Sequence, residues 1–255
     1  MRWIPSMLAI LAVVAAAPAF GAGSRLAVAR ASVEKGDKLM QKERYEAAEK
    51  AYRKAIDNEP TLPTAYHGLG RALVGEQRFA EAIEALEEAK ERYVRWAQDE
   101  KSTEMEARQD AAARARAFQD LQNTQKIRQS GPGTSPAADL TRMAATRIAT
   151  EQYLAGKNWK YEDLEAIPAD VFYLDGLARL RSGDKENGMR ELDTCLVLEP
   201  EHGLAHYNLA VALFTSGQVR AAKEHLDEAV AAGVQANPHF VADVEAAYKS
   251  LPPAP

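Results

Sequence analysis

The sequence predicts an all-α fold: a solenoid of helical hairpins. Three observations lead there. The chain repeats itself with a 34-residue step. Small and large residues return at fixed places within each step. The composition suits close helix crossings, with abundant alanine and only 7% aromatic residues among 255. Alanine costs no side-chain entropy in a helix and lets two axes approach.

The step defines four units, read first because periods of 20–50 residues mark repeat architectures. One unit runs from Ala29 to Leu62, and the next starts at Pro63. A second pair runs from Ala169 to His202 and from Gly203 to Ala236. The eighth position is small: Gly36, Gly70, Gly176 and Ala210. The twentieth is small too: Ala48, Ala82, Gly188 and Ala222. The twenty-fourth is large: Tyr52, Leu86, Leu192 and Leu226. Position 27 carries Ala55, Ala89, Cys195 and Ala229, and position 4 is bulky in three units, as Tyr66, Phe172 and His206. Two antiparallel helices that cross closely need small residues at the crossing and large ones beside it. Pro60 and Pro200, at position 32, stop the second helix and open the next unit.

This pattern resembles the tetratricopeptide repeat family. Its carriers in the second unit include Tyr66, Leu69, Gly70, Leu73, Phe79, Ala82, Leu86 and Ala89. In the fourth they include His206, Leu209, Ala210, Leu213, Ala222, Leu226 and Ala229. The third unit departs from it, with Asp175 where leucine is usual, Arg179 at position 11 and Lys185 at position 17. Looser packing or a shifted register is expected there.

The remaining segments divide the chain. Met1-Arg2, the apolar run from Met7 to Ala17 and the break at Pro18 read as a signal peptide over residues 1–22. Cleavage is expected after Ala19, Ala22 or Gly23. The run is shorter than the roughly 20 residues that span a bilayer. No membrane insertion is expected after cleavage, and the mature chain is expected to be secreted or, in a Gram-negative cell, periplasmic. An uncleaved N-terminal anchor is the minority alternative. The first repeat pair covers residues 29–96 and the second 169–236. Residues 97–168 lack the repeat signature and read as a helical insertion or as degenerate repeats, with a linker near 130–136. No proline or glycine interrupts Ala80 to Arg128. That unbroken charged run favours a long helical hairpin. Asn237-Pro238 restarts a helix over 237–250 that would cap the last apolar face. A disordered tail, 251–255, follows.

Function is read mostly by exclusion. Net charge is −5, and no basic domain stands out, so nucleic acid is not an expected partner. The single cysteine, Cys195, excludes an internal disulfide framework. It sits where the repeat wants a small residue. No phosphate-binding loop or nucleophile–base pair is evident, and neither a cofactor nor catalysis is expected. His202 and His206 have a spacing that can place two metal ligands on one helix face, yet no third ligand is evident. A metal-binding protein or enzyme is therefore the last of three readings. The first is an exported adaptor or scaffold that binds a protein or peptide. The second is a scaffold that self-associates through residues 80–128 into a homo-oligomer.

The resemblance also implies a site. In that family, positions 2, 5, 9, 12 and 13 of each unit line a concave groove. In the second pair the expected contacts are Tyr173, Leu177, Leu180, Arg181, Leu204, Tyr207, Val211 and Phe214. The first pair offers a more polar set, including Arg30, Val33, Asp37, Thr64, His67 and Arg71. The Lys and Asn of the family's carboxylate clamp are absent from positions 5 and 9.

Overall fold

A computed structural model describes residues 20–99, 154–157 and 159–252. The apolar run of the expected signal peptide, residues 100–153 of the expected insertion and residues 253–255 of the expected tail lie outside the described residues. So does most of the 80–128 run.

Antiparallel hairpins follow one another along the chain. They are α1 (Phe20–Met40) with α2 (Tyr45–Asn58), α3 (Pro63–Gly75) with α4 (Phe79–Asp99), α6 (Ala169–Ser182) with α7 (Lys185–Leu198), and α8 (Gly203–Thr215) with α9 (Val219–Ala231). A short α5 (Tyr161–Glu165) precedes the third hairpin, and α10 (Pro238–Lys249) closes the array. No strand occurs among the described residues.

The hairpin turns share one device. Each has a left-handed residue at position 15: Glu43 (φ 55°), Gln77 (φ 62°), Gly183 (φ 95°) and Gly217 (φ 78°). The next residue donates its N–H back to the carbonyl five residues earlier, at 2.9–3.0 Å: Arg44 to Leu39, Arg78 to Leu73, Asp184 to Arg179, Gln218 to Leu213. This bond closes the first helix and absorbs an orphan carbonyl. Gly183→Ala should lose about 1–2 kcal/mol, the cost of a Cβ in the left-handed region. A urea titration checks it, and an unchanged midpoint would show that the turn bears no strain. Second helices then start with little help, except that the Asp184 carboxylate accepts from the Asn187 N–H. Among the first helices, α3 begins on Pro63, where a missing N–H costs nothing.

Within each hairpin the small eighth position meets the large twenty-fourth. A Cβ added at Gly36 would strike the Tyr52 ring, at Gly70 the Leu86 side chain, and at Gly176 the Leu192 side chain. Tyr52, Leu86 and Leu192 are fully buried. Gly68 of the next hairpin presses on Tyr52 as well, so that one ring fills both an intra-hairpin and an inter-hairpin crossing. Cys195 is buried among apolar neighbours, and burial, then the charge of Glu199, pushes its thiol far above the usual range. Such a thiol is a poor nucleophile.

The expected insertion interrupts the array in sequence but not in space. Helix α4 packs directly on α6, as α2 packs on α3. Leu86, Ala89 and Val94 of α4 share one core with Val171, Phe172 and Leu174 of α6. Returning chain lies against the same core through Leu154, Leu164 and Ile167. Gln98 near the end of α4 donates to Asp163 on that return, at 3.2 Å.

The third unit is not loosely packed, so the first of the two expectations from its departures is corrected: Val171, Phe172 and Leu192 are fully buried. Asp175 and Arg179 belong to a buried charge network that joins it to the second unit. Lys90 of α4 is fully buried, as is Asp175, and Glu191 of α7 nearly so. The Lys90 ammonium donates to Asp175, to Glu191 at 2.7 Å and to Glu87 at 3.3 Å. It also lies 5.0 Å from the centre of the Phe172 ring. Arg179 bridges Asp175 at 3.0 Å and Glu87 at 2.7 Å, while Lys157 from the returning chain bonds Glu87. Asp175, which looks wrong for a repeat, is thus the partner of a lysine one unit away, and Arg179 bonds the same carboxylate.

Candidate partner-binding groove

The first helices α1, α3, α6 and α8 lie side by side, each touching the next. Positions 2, 5 and 9 of the first two units open into a cavity of about 580 Å³. Arg30, Val33 and Asp37 come from α1, and Thr64, His67 and Arg71 from α3. Tyr93 and Trp96 add a wall that the repeat pattern did not foresee. They stand in the last turns of α4, which runs well past the end of the other second helices. The sequence signal was only their size in a run of alanine and charge.

Asp37, Arg71 and His67 are paired in this half. The Tyr52 hydroxyl donates to Asp37 at 2.7 Å, and Arg71 donates to both Asp37 and Tyr52. Burial, then the bond to Asp37, pushes the Tyr52 phenol up to about 12. His67 bonds Asp170 of the third unit at 3.0 Å. Burial pushes the Asp170 carboxyl up, but the bond and charge of His67 and the charge of Arg71 outweigh it and hold it below its ordinary range. Tyr93 sits edge-on to His67, with burial and the Asp170 charge raising its phenol to about 12.

The expected contacts of the second pair divide into three groups. Tyr173, Leu177 and Val211 are half-buried, while Leu204 and Arg181 are exposed. Tyr173 stacks on His202, ring centres 4.8 Å apart. Leu180 turns into its own hairpin, where a Cβ on Gly188 would strike it. Tyr207 and Phe214 lie beneath α10, each edge-on to Phe240 at 5.7 Å. Phe240 was assigned to a cap and not to the expected contacts, and it packs against two of them.

The histidines do not converge on one point. His202 caps α8 by accepting from the Ala205 N–H at 3.1 Å. His206 is buried, with Nε2 2.9 Å from the Pro200 carbonyl and Nδ1 2.9 Å from Nδ1 of His225. A carbonyl can only accept, so Nε2 of His206 carries a proton. Elsewhere Glu87, Asp175 and Glu191 bring oxygens within 4.8 Å of one another, a spacing suited to a cation. The Lys90 ammonium bonds all three. No described helix is long and apolar enough to cross a membrane.

Known proteins add the following. The family model for the tetratricopeptide repeat matches residues 33–93 and 173–238. Solved structures with a similar chain course include one from a study of Pseudomonas aeruginosa pilF, at 15% identity and a TM-score of 0.36, covering 88% of this chain and 90% of that one. A thermophilic repeat protein of Thermus thermophilus is 14% identical with a TM-score of 0.39, covering 87% of this chain and 99% of that one. PilW, a type IV pilus biogenesis factor, is 13% identical with a TM-score of 0.38, covering 87% and 90%. No curated protein matches the chain. At these identities the overlaps carry nothing about partners. The matched segments coincide with the hairpins α1–α4 and α6–α9, and the chain is therefore built on tetratricopeptide repeats, stacked as a helical solenoid.

Proposed function

We propose that the chain is a non-enzymatic exported adaptor that holds a peptide or helix of a protein partner along the row α1, α3, α6 and α8. Repeats of this family are protein-interaction modules, and the fold itself assigns no particular partner. The observation that carries the reading is the cavity of about 580 Å³ on the first pair, at the positions where such repeats present their contacts. Its lining combines guanidinium groups, carboxylates and two large aromatic side chains. Aromatic and arginine side chains dominate binding hot spots. Tyr173, Leu177, Leu204, Val211 and Arg181 extend the surface toward α10. Tyr207 and Phe214 act there together with Phe240 as its end wall, and Leu180 supports α6 from behind. Export rests on the apolar run from Met7 to Ala17 and the small residues after it.

A photo-crosslinking residue at Thr64, compared with one at Tyr173, tests this in cells. One foreign protein captured from both places supports an adaptor. Capture of none from either place removes the proposed groove. The mass of the mature N-terminus tests export separately: a chain beginning after Ala19, Ala22 or Gly23 supports it, and an intact Met1 opposes it. Truncating Trp96 to Ala should weaken a captured partner by about 2 kcal/mol if it is a hot spot. Titration calorimetry reads this, with helicity by circular dichroism as the control.

A further inference from the structure

Six charges meet where α4, α6 and α7 pack together, and the cations are not shared evenly. Arg179 bonds Asp175 and Glu87, and Lys157 bonds Glu87. Lys90 is divided among all three carboxylates. Among the described residues, the cation within bonding reach of Glu191 is Lys90 alone, with the Arg179 charge acting on it from farther off. Glu191 is also 4% exposed, so water does not make up the deficit. It is the least compensated anion in a site that holds three carboxylate oxygens within 4.8 Å.

We propose that the joint between the second and third repeats is proton-sensitive: a proton taken up by Glu191 tightens it, and release of that proton loosens it. A buried carboxyl close to two others favours its neutral form. Burial pushes Glu191 up to about 7 against the pull of Lys90, and the charge of Asp175 adds to the rise. Its neighbour Glu87 goes the other way. Burial raises it, but Lys90, Lys157 and Arg179 outweigh this and hold it at about 2. On α7 the chain neighbours of Glu191 are Asp193 and Arg190, which pairs with Glu186. The other helix packed on α7 is α8, whose titratable groups are His206, held by Pro200 and His225, and Tyr207, which lies against Phe240; His202 is spent on its cap.

The direction follows from proton linkage. Between about 4.5 and 7 the folded chain binds more protons at Glu191 than the unfolded chain does, so stability rises as pH falls through that window. Below it, Glu87 works in the opposite sense and stability falls again. A mildly acidic medium closes the joint, and an alkaline one strains it. This holds whether or not the concave face binds a partner.

Carboxyl titration of the full chain, labelled with ¹³C at glutamate, tests the idea between pH 4 and 9. One midpoint above about 6, lost in Glu191→Gln, is expected, against about 4.3 for an ordinary glutamate. If every glutamate titrates below about 5.5, close to the model-peptide value, the proposal is overturned. Hydrogen exchange of α4, α6 and α7 gives a second reading. Gln has the shape of the protonated acid. Glu191→Gln should exchange at least about tenfold more slowly than wild type at pH 8.5, the factor that goes with a single pKa unit, and should converge with it at pH 5.5. Equal or faster exchange of the variant at pH 8.5 overturns the proposal. Should the variant fail to fold, the wild-type carboxyl titration still decides.

Discussion

Lys90→Met is expected to cost about 3–5 kcal/mol of folding stability at pH 8, the range for breaking a buried ion pair from one side. Methionine fills most of the lysine's volume, so packing changes little. What changes is that Asp175 and Glu191, both inside the core, lose their shared ammonium. Arg179 still reaches Asp175 from its partly exposed edge, but among the described residues it acts on Glu191 only from beyond bonding distance. The loss should shrink on acidification to pH 5, because neutral carboxyls need no counter-charge. Urea unfolding followed at 222 nm checks both statements. A cost under about 1 kcal/mol would place the pair among exposed ones and sink the account. Replacing the triad as a whole, with Lys90→Met, Asp175→Leu and Glu191→Met together, should recover most of the loss, since an apolar core of similar volume serves about as well as a buried triad. In that event the charges serve alignment of the second repeat with the third more than they serve stability.

The second large effect is at Tyr52. Tyr52→Ala should cost about 3–5 kcal/mol, the range for emptying a buried aromatic site. This ring is fully buried, and two glycines from different hairpins close on it. Gly68→Ala in the wild-type chain should cost about 1–3 kcal/mol by overpacking, because its Cβ would overlap the ring. In the Tyr52→Ala background the sign should reverse. The new methyl then enters an empty space, and alanine is better than glycine inside a helix by about 0.8–1 kcal/mol. A thermal-melt cycle over the four chains measures the coupling. Additive costs would mean that Gly68 and Tyr52 are not in the contact described.

Much of this fold was legible because helix crossings impose a rule on composition. A large twenty-fourth residue demands a small eighth one, and the rule survives in Gly36, Gly70 and Gly176 however much the surface varies. The seam was not legible. Asp175 looked like damage to the repeat because its partner, Lys90, lies 85 residues earlier, beyond any local pattern. Position within the unit also says which face a residue occupies, but not what else covers that face. Tyr207 and Phe214 were placed on the correct helix, yet Phe240 arrives from a helix outside the repeat. Tyr93 and Trp96 escaped notice in the groove for a related reason: they belong to the end of α4 that outruns the 34-residue register.

The meeting of Gln98 with Asp163 has a consequence for how such a chain can change. The path leaving α4 comes back beside its own point of departure, so the two sides of the seam set no required length for what lies between. For a flexible connection, the entropy of closing a loop grows only with the logarithm of its length, and each doubling costs about 0.6 kcal/mol. The junction is thus a port at which whole segments can be gained, lost or exchanged while the solenoid on either side keeps its register. Grafting a foreign domain there, in place of residues 100–153, is the natural route for turning this scaffold into a carrier.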